Sequence, residues 1–185
     1  MNKRDQILAT AERLFNQQGF HATGIDQIVR EAGATPRTLY RHFLTKEHLI
    51  IEVLQQREKR FLEQIQQHGS GETGLTSLFT ELERWFAQEG EKGCLYLRAL
   101  AEYGHKDTDI ADRALNHKQR ELESLYTRFG EGTPEDICDK AESLMLIMEG
   151  AVARAPVIGG AAAARRAHLL AIRVFESSST AKTSG

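Results

Sequence analysis

Residues 23–46 read TGIDQIVREAGATPRTLYRHFLTK, and their spacing decides the fold. Ile25, Ile28, Val29 and Ala32 recur at i, i+3, i+4 and i+7, one apolar face of a short helix. Thr23, three residues before Asp26, is the expected start of that helix as a capping box. Gly33 stands where the helix ends and a positive φ is tolerated. Thr35 then caps a second short helix, and Pro36 takes its first position, where no N–H is needed. Leu39 and Phe43, four apart, face inward, which leaves Arg37, Thr38, Arg41 and His42 outward. Tyr40 lies between the two faces, so its ring can pack while its hydroxyl reaches out.

Two short helices joined by a glycine turn, the second with a basic and polar outer face, predict a helix-turn-helix. In that motif the second helix enters the DNA major groove. Thr35, Pro36, Arg37, Thr38 and Arg41 are then the residues expected at base edges or adjacent sugars. Thr23, Tyr40, His42 and Lys46 are expected to hold phosphates.

Outward from the motif, helix follows helix. Residues 3–18 carry Ile7, Leu8, Ala11, Leu14 and Phe15 on one face, and Gly19 ends the run. A long helix is expected over residues 46–67, with Leu49, Ile50, Val53, Leu54, Phe61, Leu62 and Ile65 at helical spacing. Residues 68–74 (HGSGETG) read as a flexible joint. Further helices are expected over residues 75–89, 93–103, 107–129, 134–155 and 161–175. Pro134 suits a first turn, and Pro156 with Gly159-Gly160 separates the last two helices. Ser177 onward (SSSTAKTSG) has almost nothing to bury and is expected to be disordered. The fold class is therefore all-α. The expected division is a three-helix DNA-binding domain over residues 1–48, a helical effector-binding and dimerisation domain over 49–178, and a disordered tail over 179–185.

The segment from Lys3 to Leu49 resembles the DNA-binding domain of the TetR/AcrR family of transcriptional regulators. The likeness rests on Phe15, Gly19-Phe20, Ala22-Thr23, Ile28, Ala32-Gly33, Thr38-Leu39-Tyr40, His42-Phe43 and Lys46-Glu47 at fixed spacing. There are departures. Gly24 stands where Ser or Thr is common, Pro36-Arg37 replaces a frequent Lys-Gly, and Leu44 stands where Pro or Gly is usual. The first two put the operator sequence beyond inference by likeness. The resemblance implies a ligand-responsive regulator, most often a repressor, which dimerises through its last two helices and binds a compound among its middle helices.

Charge is distributed in keeping with this reading. The 185 residues carry a net charge of −2, but residues 1–60 hold +3 and the remainder −5. A basic end on an acidic body suits a DNA-facing domain that is not sticky overall. The two cysteines, Cys94 and Cys138, lie far apart. No signal peptide or membrane-length apolar run is present, so a cytoplasmic protein with reduced thiols and no membrane partner is expected.

In the body, Leu144, Met145, Ile147, Met148, Ala151 and Val152 form one apolar face, and Leu169, Leu170, Ile172, Val174 and Phe175 another. Both faces could complete a monomer core. A single helix-turn-helix covers too few base pairs for useful specificity, which favours a two-fold homodimer on a pseudo-palindromic operator. Phe79, Trp85, Cys94, Arg98, Glu102, Tyr103, Tyr126 and Met148, with Phe86 and Tyr96, are candidates to line a site for an unidentified small-molecule effector. For any single one of these, ordinary core or solvated surface is the competing reading. His105, Asp107, Asp109 and His117 match no common zinc spacing, so no metal or other cofactor is expected. Cys94 near a helix start allows a sensing thiol, but nothing in the sequence gives it a partner. No phosphate-binding or catalytic motif is present, and an enzyme is not expected.

Overall fold

The computed structural model describes residues 2–65, 71–89, 92–104, 108–129 and 133–180. Among them are nine helices and no strand: α1 (Lys3–Gln18), α2 (Ile25–Glu31), α3 (Pro36–His42), α4 (Lys46–Ile65), α5 (Gly71–Glu89), α6 (Leu95–Tyr103), α7 (Asp109–Phe129), α8 (Pro134–Ile158) and α9 (Gly160–Thr180). They form two compact units. The first comprises Met1–Leu62 with Leu95–His117, the second Glu63–Cys94 with Lys118–Gly185. The first unit is thus larger than residues 1–48, because α6 and the start of α7 belong to it.

In the first unit, the side chain of Asn2 caps α1 by accepting from the Asp5 amide at 2.9 Å. The apolar face of α1 buries Ile7, Leu8, Ala11, Leu14 and Phe15. Gly19 ends the helix at φ 92°, and a Cβ there would lie 2.7 Å from Glu102 Oε1. Glycine is required by conformation, and a Cβ would also displace the Glu102 carboxylate. Ile28, Leu39, Phe43, Leu49, Ile50 and Leu54 complete a fully buried set with Phe15 and Phe20. The rings of Phe15 and Phe20 stand 5.0 Å apart.

The start of α2 corrects the sequence reading. Its N-cap is Gly24, with no side-chain cap. Thr23 is fully buried, and its hydroxyl donates to the Gly19 carbonyl at 2.6 Å. A hydroxyl committed to the preceding turn cannot cap the helix that follows. At α3 the cap is as read: Thr35 Oγ1 accepts from the Thr38 amide at 3.1 Å, with Pro36 first in the helix.

In the second unit, α9 packs on α8 and on α5. The core joins Leu75, Leu78, Phe79 and Phe86 to Leu144, Met148, Ala151 and Ala155. Ala163, Ala164, Ala167 and Ala171 are buried on α9, and their small size permits a close approach. Thr133 and Asp136 form a full capping box at the start of α8. At the other end, α8 continues through Pro156 to Ile158 and stops at Gly159, φ 85°. The helix therefore ends three residues later than the proline suggested. A proline in the last turn removes only one amide donor, whereas Gly159 adopts the left-handed backbone that ends the helix.

Two further boundaries differ. α5 begins at Gly71, inside the stretch read as a joint, while residues 66–70 lie outside the described residues. α9 extends to Thr180, so the helix covers Ser177–Thr180, which were expected to be disordered; residues 181–185 lie outside the described residues. His105 and Asp107 also lie outside them.

Candidate nucleic-acid interface

The outer face of α3 exposes Thr35, Pro36, Arg37, Tyr40 and Arg41, with Thr38 and His42 half-buried. Tyr40 keeps 48% of its surface exposed although it is aromatic. Arg37 and Arg41 lie one turn apart, and among the described residues neither guanidinium is engaged in an ion pair. Two desolvation-tolerant, forked donors are therefore free on one helical face, the arrangement that reads base edges or phosphates. The hydroxyls of Thr35 and Thr38 lie 2.9 Å apart, so Thr35 is partly occupied in holding the helix start. Lys46 opens α4 half-buried. Burial pulls its ammonium below the ordinary lysine range, against the opposing pull of Glu47 and Glu102. Thr23 leaves the set of phosphate-holding side chains, since it is fully buried and its hydroxyl is used internally.

The platform behind this face is held by contacts between elements distant in sequence. Lys3 Nζ donates to the carbonyls of Gly33 at 3.1 Å and Ala32 at 3.4 Å, satisfying the end of α2. Arg13 pairs with Glu31 at 2.5 Å, and this bond holds the Glu31 carboxyl below the usual carboxylate range. Arg4 pairs with Glu52 at 2.8 Å and lies 5.4 Å above the Phe43 ring. Glu12 takes Arg57 at 2.9 Å and also Arg60. None of these residues carries a periodicity signal that marks it for the task.

The candidate effector residues separate into two sets. Tyr96, Arg98, Glu102 and Tyr103 belong to the first unit. Phe79, Trp85, Phe86, Cys94, Tyr126 and Met148 belong to the second. In the first set the polar groups have structural work. Arg98 Nη1 donates to the carbonyls of Phe15 at 3.2 Å and Asn16 at 3.3 Å. Glu102 accepts from the amides of Phe20 and His21 at 3.1 and 2.6 Å. They tie α6 to the end of α1. Tyr96 donates to the Leu54 carbonyl at 2.8 Å and stacks on His117 at 3.5 Å. Burial, with Glu102 and Glu47, raises the Tyr103 phenol to about 12. In the second set, Phe79 and Met148 are core residues, Trp85 is half-buried, and the Tyr126 hydroxyl lies 3.4 Å from Cys138 Sγ.

The apolar faces of α8 and α9 also divide. Leu144, Met145, Met148 and Ala151 are buried within the second unit. The large apolar side chains left exposed are Leu146 and Val157 on α8 and Leu169 and Leu170 on α9. No helix among the described residues is long and apolar enough to cross a membrane.

Fold and site together define an all-helical protein whose N-terminal unit is a helix-turn-helix. Comparison with known proteins agrees. The family described as bacterial regulatory proteins, tetR family, matches residues 7–53. The regulator YxaF of Bacillus subtilis is 52% identical over 54 residues, 29% of this chain and 28% of its own length. The regulator QacR of Staphylococcus aureus is 41% identical over 64 residues, 35% of this chain and 34% of its own. The chain thus matches about a third of the length of these relatives. A crystal structure of a TetR-family transcriptional regulator from Streptomyces coelicolor superposes with a TM-score of 0.86 at 26% identity, covering 96% of each chain. Residues 7–53 thus match the DNA-binding domain of the tetR family, and the chain as a whole has the fold of a TetR-family transcriptional regulator.

Proposed function

We propose that the protein is a cytoplasmic, sequence-specific DNA-binding repressor that acts as a homodimer on a pseudo-palindromic operator and is released by a small-molecule ligand. The observation that carries the DNA-binding part is the free, exposed pair Arg37 and Arg41 on α3. Pro36, Thr38 and Thr35 complete the base-facing surface, while Tyr40, His42 and Lys46 hold phosphates. The exposed Leu146, Val157, Leu169 and Leu170 support dimerisation through α8 and α9. Release follows from a population shift: the ligand favours a spacing of the two recognition helices that no longer matches major grooves ~34 Å apart. Selecting random-sequence duplexes with the purified protein, then sequencing the retained fragments, tests the reading. Recovery of no enriched motif sinks it.

For the effector, Trp85, Cys94 and Tyr126 remain the candidate contacts, with Arg98 and Glu102 withdrawn to structural roles. Ligand and operator must be coupled reciprocally, each lowering the affinity of the other by one factor. Titrating a compound against Trp85 fluorescence, with and without operator, measures both constants. A second reading gives the body a protein partner instead of a ligand. It is favoured by the internal engagement of Arg98, Glu102, Phe79 and Met148. A broad compound library that yields no thermal shift selects that reading.

A further inference from the structure

We propose that His48 is the positioning residue of the DNA-facing turn between α3 and α4, which it holds through a neutral imidazole, so that operator binding is sensitive to protons. The inference rests on the DNA-binding reading above. Leu44 lies in this turn, between His42 and Lys46, and is 79% exposed. Phe43 anchors the start of the turn in the core, but the Leu44 side chain lies in solvent with no core to fix it, so this residue is held by its backbone. The Leu44 amide donates to His48 Nδ1 at 3.2 Å. A backbone amide offers only a proton, so Nδ1 must present its lone pair and the ring proton must sit on Nε2.

The rest of the arrangement agrees with that tautomer. Nε2 lies 3.5 Å from Glu52 Oε1, and the other oxygen of Glu52 takes Arg4 of α1 at 2.8 Å. In return, Thr45 Oγ1 accepts from the His48 amide at 3.1 Å, and the Thr45 carbonyl accepts from the Leu49 amide at 3.1 Å. Thr45 is therefore the N-cap of α4. Together these bonds make a reciprocal cap related to the capping box, with an imidazole where Glu or Gln is usual and the amide of Leu44, one residue before the N-cap, as its donor. A carboxylate or an amide accepts across neutral and mildly acidic pH. An imidazole accepts only while neutral.

The groups facing His48 set the balance. Glu52 favours the charged ring, Arg4 draws on the same carboxylate, and the positive end of α4 disfavours a cation there. From the end of α3 and the residue after it, the neighbours are the Phe43 ring at 6.2 Å and, beyond it, His42, itself 6.2 Å from Phe43. Lys46 and Glu47 flank on α4. A proton on Nδ1 sets two donors face to face, and the Leu44 amide loses its acceptor. The hold is thus present while the ring is neutral and is lost once Nδ1 carries a proton.

The test uses the operator duplex obtained by selection, with dissociation constants measured by anisotropy at fixed salt, near about pH 8 and about pH 5.5. The full-length parent is compared with H48Q, H48A and K46A. At the higher pH, H48Q binds like the parent and H48A binds roughly threefold to tenfold more weakly, the scale of one helix cap. On acidification the parent weakens relative to H48Q by a similar factor, whereas the ratio of H48A to H48Q stays constant. Proton effects that arise away from position 48 are common to all and cancel in these ratios. If H48A does not fold, the parent-to-H48Q ratio decides. A parent-to-H48Q ratio that does not change with pH overturns the proposal. When K46A is weakened in the same series, the DNA-binding reading stands and this proposal alone falls. If no protein in the series binds selected DNA, both fall.

Discussion

The Glu102 carboxylate accepts from the amides of Phe20 at 3.1 Å and His21 at 2.6 Å, although 81 or more residues separate the partners. It thereby takes up two backbone donors just beyond α1, while Arg98, one turn earlier on α6, takes the carbonyls of Phe15 and Asn16. Donors and acceptors at the end of α1 are satisfied by one helix. Unpaired, such groups cost more than the bonds contribute.

Glu102→Ala is expected to destabilise the fold by about 1–3 kcal/mol, the scale of charge-assisted bonds to amides. Gly19→Ala is expected to cost about as much, through a left-handed backbone and a Cβ that meets Glu102. Combined, the two changes should cost less than their sum, since removing Glu102 relieves the clash. Urea unfolding of the four proteins measures this coupling, and strict additivity would mean that the two residues are energetically independent.

Tyr103 supplies an alkaline signature. Its folded-state phenol is raised to about 12 from an ordinary value of 10. A raised value means stability is fully present below about pH 10 and is lost as pH climbs toward 12, by roughly 1–3 kcal/mol. Tyr103→Phe should flatten that part of the stability profile. Thermal melts at a series of alkaline pH values would show an unchanged slope if another group is responsible.

On the DNA face, Arg37→Ala should alter base preference at one operator position by about 1–3 kcal/mol if its contact is bidentate. Lys46→Ala should weaken all sequences alike and lower the salt slope by roughly one phosphate's worth. Binding of both variants indistinguishable from the parent across a salt series would remove α3 from the interface.

Leu170 is 50% exposed in the protomer, so Leu170→Asp leaves the fold intact and acts on association. A charge in a dry interface costs several kcal/mol, and the variant should sediment as a monomer. A dimer of unchanged affinity would locate the interface away from this part of α9.

What the sequence by itself determined is local. Apolar residues at helical spacing mark the faces of α1 to α4, α8 and α9, and short-range chemistry marks the ends: Thr35-Pro36 and Pro134 as starts, Gly19 as a stop. The helix-turn-helix and its outward arginines follow from a stretch of 24 residues because each signal spans at most a few turns. The tertiary structure decided what happens when side chains meet across helices. It buried Thr23, which local pattern read as a cap and a phosphate contact. Arg98 and Glu102 became the closure of α1, and Lys3 came to the turn 30 residues away. Met148 joined the core of one protomer, and the exposed apolar positions became Leu146, Val157, Leu169 and Leu170. Periodicity tells which face of a helix is apolar, but not which neighbour that face meets. A polar side chain is committed only when a distant backbone group is left without a partner and comes within reach.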